Sequence, residues 1–129
     1  MPCIQISTNV CLDGVDTDAI FAEATRVVAQ IIGRPEKFVM VILKGSVAIS
    51  FERNKEPAAF AEIISMGGIT SDVKKKLIFQ LGTILLEKLS IPRTRFFVKV
   101  LRMFDCLAVW NSRLKGKSRN QKTIYDCFY

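Results

Sequence analysis

Pro2 follows the initiator methionine, and a second residue this small permits that methionine to be removed. The mature chain then begins with a secondary amine. An α-amino group ionises at about 7.7–8.0, against ~10.4 for a lysine. Burial in an apolar site disfavours the ammonium form and lowers the value further, leaving a neutral base at physiological pH. No histidine occurs anywhere in the chain. Ser-His-Asp triads, Cys-His dyads, HExxH zinc sites and C2H2 fingers are therefore excluded for want of an imidazole. A proline at position 2 is weak evidence alone, since about one residue in twenty is proline; its weight comes from the histidine-free setting and from its neighbours. Cys3, Cys11, Cys106 and Cys127 form no CxxC pair and read as reduced thiols, not as a zinc ribbon or a thioredoxin-type redox centre.

A base at Pro2 needs an element to hold it. The run Pro2-Cys3-Ile4-Gln5-Ile6-Ser7 alternates so that residues 2, 4 and 6 share one face of a strand. Asp13-Gly14 marks a turn, and Asp16 or Thr17 caps a helix that turns Ile20, Ala24, Val27, Val28 and Ile31 inward. Gly33 and Pro35 end it. Residues 38–43, apolar throughout, predict a strand buried on both faces. After Lys44-Gly45-Ser46 and a polar loop over 52–57, the pattern restarts. A strand over 60–66, a turn at Gly67-Gly68 and a cap at Ser71 or Asp72 lead into a helix with Val73, Leu77, Leu81, Ile84 and Leu85 inward. Pro92 and a strand over 96–101 follow. One strand-helix-strand unit is thus written twice. Right-handed crossovers turn two such units into an α/β (α+β) fold, a four-stranded sheet with both helices on one face. With Phe38, Met40 and Ile42 toward the helices, Val39, Val41 and Leu43 would leave the other face apolar, which predicts self-association.

At 129 residues, 50% of them hydrophobic and 24% charged, the chain is long enough for one domain with its own core. The net charge of +7 is unevenly placed. Arg113, Lys115, Lys117, Arg119 and Lys122 lie among small polar residues, so residues 1–112 read as the folded domain and 113–129 as a basic, solvated tail. That placement argues against nucleic acid as the partner, weak phosphate contacts of the tail being the alternative. The run 38–43 is far short of the ~18 apolar residues that a membrane helix needs, and the expected location is the cytoplasm.

The combined pattern Met1-Pro2-Cys3, Ser7-Thr8-Asn9-Val10, Gly33-Arg34-Pro35, Glu56-Pro57-Ala58, Ser65-Met66-Gly67-Gly68 and Trp110-Asn111 resembles the macrophage migration inhibitory factor family of the tautomerase superfamily. Leu12-Asp13-Gly14-Val15-Asp16-Thr17 and Leu43-Lys44-Gly45-Ser46-Val47 are similar to its plant members, the D-dopachrome tautomerase-like ones included. The resemblance implies a homotrimer whose sheets wrap into a central barrel. It also implies cofactor-independent keto-enol tautomerisation of aromatic 2-oxo acids of the phenylpyruvate or dopachrome type, with Pro2 as the base. Arg34 falls where the family has a basic side chain that clamps the substrate carboxylate; as a plain residue it is a solvated charge beside a helix end. Met66 falls where a backbone N–H faces the substrate, and Phe97 and Lys99 fall at the pocket mouth, where many animal members carry a tyrosine and an asparagine.

Phe97 offers no hydroxyl. Lys99 either holds an anionic substrate, lowers the basicity of Pro2, or faces solvent. Phe51-Glu52-Arg53 stands in place of Phe-Gly-Gly and predicts a different backbone conformation there. Ala58 and Ala61 replace a CxxC, which excludes the thiol-disulfide chemistry of some members. Leu101-Arg102-Met103 and Val109 depart from the usual C-terminal segment. These departures keep a second reading open, a catalytically weak member that acts as a binding or cytokine-like signalling module with a protein partner.

Overall fold

The computed structural model describes residues 1–102. The domain boundary expected at residue 112, the tail 113–129, Trp110-Asn111, Cys106 and Cys127 lie outside the described residues. Four strands and two helices alternate as β1 (Cys3–Thr8), α1 (Thr17–Ile32), β2 (Met40–Lys44), β3 (Ala59–Ser65), α2 (Ser71–Leu89) and β4 (Phe96–Arg102). The strand order is β2-β1-β3-β4; β1 and β2 are parallel, β3 and β4 are parallel, and the two pairs meet antiparallel at β1 and β3. The duplicated unit is therefore real. Each crossover ends in the same device, a proline opening one turn of 3-10 helix: Pro35 at φ −59°, ψ 141° and Pro92 at φ −60°, ψ 146°.

The helices start and stop where side-chain chemistry dictates. Asp16 caps α1, its Oδ1 accepting from the Ala19 N–H at 3.1 Å and so satisfying a donor that the first turn leaves open. Gly33, at φ 76°, closes α1 in the left-handed conformation, its N–H donating to the Ala29 carbonyl at 2.9 Å. For α2 the cap is Thr70, not Ser71 or Asp72. Its Oγ1 accepts from the Val73 N–H at 3.2 Å, which leaves Asp72 inside the first turn, where a carboxylate favours the positive end of the helix dipole.

The core lies between the helices and one face of the sheet. Ile4 and Ile6 of β1 and Ala61 and Ile63 of β3 meet Ile20, Ala24, Val27 and Val28 of α1 and Leu77, Leu81, Ile84 and Leu85 of α2, all buried. Ile32, rather than Ile31, completes the inner face of α1. The orientation expected for β2 is reversed. Ile4 pairs with Val41 and Ile6 with Leu43, so Val41 and Leu43 share the helix-facing side and pack on the core. Met40 and Ile42 face outward, Met40 being 55% exposed, and Phe38 belongs to the 3-10 turn before the strand. A run that is apolar at both parities has no period-2 signal; pairing with β1 decides its face. Nor is β2 buried on both sides.

The outward face carries three rows across the sheet. Met40, Cys3, Ile64 and Leu101 form one, Ile42, Gln5, Glu62 and Lys99 the next, and Lys44, Ser7, Phe60 and Phe97 the third. The Phe60 and Phe97 rings stack with centroids 6.0 Å apart. No helix among the described residues covers this face, and none is long and apolar enough to cross a membrane.

Between β2 and β3 the chain makes a tight turn in which Phe51 and Asn54 exchange backbone hydrogen bonds of 3.0 and 3.1 Å. Glu52 and Arg53 occupy its centre at φ 51° and 62°. The left-handed geometry is kept here without glycine, contrary to expectation. The buried Arg95 holds it from below. Its guanidinium donates to the carbonyls of Pro57 at 3.0 Å, Glu56 at 3.1 Å and Phe51 at 3.4 Å, reaches the Glu52 carboxylate at 3.4 Å and lies over the Phe51 ring at 5.3 Å.

Candidate active site at the start of the first strand

The alternation of β1 buries Pro2 with Ile4 and Ile6. The Pro2 carbonyl accepts from the Met40 N–H at 3.0 Å, which extends the β1–β2 pairing to the chain's beginning and fixes the terminal backbone. The α-amino group carried there by Met1 is held below its ordinary ionisation, first by burial and then by the positive charge of Arg34. Arg34 is itself exposed. It is aimed from the left-handed Gly33, and its own N–H shares the Ala29 carbonyl at 2.9 Å.

Met66 reaches the same end by another route. The antiparallel pairing of Cys3 with Ile64, carried two residues further, sets Met66 across from Met1. The loop after β3 is then tied down locally: the Ser65 hydroxyl donates to the Gly67 carbonyl at 2.7 Å. At Gly68, φ is 72°, and an added Cβ would lie 3.1 Å from the Ile32 carbonyl oxygen. Only glycine combines that backbone angle with so close an approach. The segment 66–68 therefore sits against the end of α1 from which Arg34 departs. Gly68 was legible in the sequence only as a turn residue.

Phe97 and Lys99 are not part of this cluster. Phe97 aligns with Phe60 and Ser7, and Lys99 with Glu62 and Gln5, so both lie on the face opposite Pro2. The row of Lys99 is three residues along the strand from Pro2 and that of Phe97 five, about 10 and 16 Å. Within one chain these two residues and Pro2 cannot touch one ligand. Cys3, next to Pro2, also points to the outward face. Burial and the Glu62 carboxylate push its thiol up, so it is a protonated, poor nucleophile. Among the described residues no group of histidine, cysteine, aspartate or glutamate could hold a metal ion. Arg95, which positions the loop preceding β3, went unremarked in the sequence because its partners lie 38 to 44 residues earlier.

A weakly basic amine beside a guanidinium is equipped to take a proton from carbon while an anionic substrate group is held. Comparisons with known proteins bear on the chain as a whole. Residues 1–116 match the family model described as macrophage migration inhibitory factor. The chain is 28% identical over 103 residues to a macrophage migration inhibitory factor homolog of Trichuris trichiura, covering 80% of this chain and 90% of the relative. It is likewise 28% identical over 111 residues to the Xenopus laevis macrophage migration inhibitory factor, covering 86% and 96%. The crystal structure of a homologue from Prochlorococcus marinus superposes with a TM-score of 0.80 at 26% identity, covering 84% of this chain and 95% of that one. By sequence and by fold, this chain belongs to the macrophage migration inhibitory factor family.

Proposed function

We propose that the protein is a cofactor-independent keto-enol tautomerase of aromatic 2-oxo acids of the phenylpyruvate or dopachrome type, acting in the cytoplasm with Pro2 as its base. The observation that carries this reading is the lowered ionisation of the chain's α-amino group beside Arg34. With Met1 removed, the free amine becomes the Pro2 nitrogen, one residue deeper in the same buried strand. That nitrogen takes a proton from the carbon next to the substrate's keto group, the electron pair of the C–H bond moves to form the enolate, and the protonated Pro2 nitrogen returns the proton to the enolate oxygen, which regenerates the neutral base. Arg34 holds the carboxylate through paired N–H donors. The Met66 backbone N–H faces the substrate, and no cofactor takes part.

Because Phe97 and Lys99 lie on the opposite face from Pro2, they serve this site only from a neighbouring copy, which fits a homotrimer. Lys99 would add a cation to bind an acid. The absence of a hydroxyl on Phe97 favours a second reading, a catalytically weak family member acting through a protein partner.

The test follows the decay of the enol form of phenylpyruvate with the wild-type protein and with Pro2→Gly. Loss of a positioned base should slow the reaction about 100-fold or more. Equal rates for the two proteins, or mass spectrometry showing Met1 retained, would overturn the enzymatic reading.

A further inference from the structure

On the side of the molecule away from the sheet, α1 and α2 leave between them a groove of about 670 Å³ lined by Arg26, Val27, Gln30, Ile31, Lys75, Lys76, Phe79 and Gln80. Its floor is apolar, from the buried Val27 and the half-buried Ile31. Its rim carries three cations and no acid. Phe79 stands at one side with its ring 61% exposed, backed by the Arg93 guanidinium at 4.8 Å. Arg93 is itself anchored, donating to the Phe79 carbonyl at 3.1 Å and to Thr83 Oγ1 at 2.6 Å, so the aromatic side chain is propped in place rather than free to fold away. Further along the same two helices the charge balance changes: Glu23 meets Lys88 at 3.9 Å, and Glu87 is exposed.

We infer that this inter-helix groove docks a short acidic segment of a partner protein, its carboxylates meeting Arg26, Lys75 and Lys76 and one apolar side chain seating on Val27, Ile31 and Phe79. Charge complementarity at the rim selects the anion. The apolar floor and the propped ring supply an anchor that a free small anion would not use. A long polyanion such as nucleic acid fits less well, because continuing along the helices it would meet Glu23 and Glu87. The site lies on the helical layer, apart from Pro2, and does not depend on the tautomerase reading.

The experiment uses the full chain and a fluorescein-labelled nonapeptide of alternating Asp and Glu with one central leucine, read by anisotropy at low salt. The double variant Lys75→Glu/Lys76→Glu should weaken binding about tenfold or more, and Phe79→Ala about threefold. Lys74→Glu, exposed on the same helix but outside the groove, should leave binding unchanged. Three results would overturn the inference. Wild-type affinity in the double variant would put the peptide on the basic tail 113–129, and equal weakening by Lys74→Glu would reduce the effect to general charge. Tighter binding of an oligothymidylate, lost in the same double variant, would make the groove a nucleic-acid site. The enol assay on Lys75→Glu/Lys76→Glu should be unaffected, which separates failure here from failure of the catalytic proposal.

Discussion

Burial first, and then the neighbouring positive charge of Arg34, makes the chain's α-amino group a weaker base. In the proposed mechanism the neutral amine is the competent form, so a lowered ionisation moves activity toward lower pH. kcat/KM for phenylpyruvate enol should rise with pH through a midpoint below the ordinary α-amino range of about 7.7–8.0. In Arg34→Ala the midpoint should move up, as the repelling charge is gone, and KM should rise with it, as the carboxylate loses its clamp; a titrated rate profile checks both. The linked stability has a defined sign. In the window between the folded and the unfolded values the unfolded chain binds more protons, so stability rises with pH through that window. Arg95 acts differently, through the carbonyls it satisfies. Arg95→Met should leave the Pro57 carbonyl without its donor, while those of Glu56 and Phe51 keep the Asn9 amide and the Asn54 N–H, and cost about 1–3 kcal/mol in urea unfolding. Pro2 stood out in the sequence for a local reason, a terminal amine in an alternating strand, whereas Arg34 read locally as a solvated charge and gained a role only through the family resemblance. Arg95 has no such local mark.

Among the elements, caps and helix faces follow from short-range rules. Gly33 ends α1 as its permissive backbone predicts, and the inward positions of both helices recur at helical spacing. The face of β2 escaped those rules because valine, isoleucine, leucine and methionine occupy both parities of 38–43, and only pairing with Ile4 and Ile6 breaks the tie. The turn at 52–53 shows a tertiary contact overriding a local preference. Two non-glycine residues stay left-handed, at a cost of roughly 1 kcal/mol each, because the Arg95 hydrogen bonds hold the flanking carbonyls. Arg53→Gly should relieve that strain without touching the Glu52–Arg95 pair and, once glycine's larger unfolded-state entropy of about 0.5–1 kcal/mol is subtracted, stabilise the fold by at most about 0.5 kcal/mol. Chemical denaturation of the variant beside the parent measures it; a destabilised Arg53→Gly would show that the turn is not strained.

At the scale of the whole molecule, the proposed homotrimer turns on the outward sheet face. Met40, Phe60, Phe97 and Leu101 are exposed there, and an exposed cluster of large apolar side chains is the kind of surface that marks an interaction face. Sedimentation should find a trimer for the parent chain, and Phe60→Lys, which puts a charge beside the Phe97 ring, should shift it to monomer while far-UV circular dichroism stays unchanged. A monomeric parent at micromolar concentration would remove the neighbour that Phe97 and Lys99 need in order to serve Pro2. The sequence pattern pointed to association, yet it assigned the wrong half of β2 to the outward face. The distribution of polarity across that surface carries a further consequence. Gln5, Glu62 and Lys99 run as a hydrophilic stripe between the Met40–Leu101 row on one side and the Phe60–Phe97 pair on the other. A copy that landed one rung too high or too low would press hydrocarbon onto a carboxylate and an ammonium, and would be rejected for it. In the proposed trimer, correct register is thus proofread by three side chains that contribute little adhesion of their own.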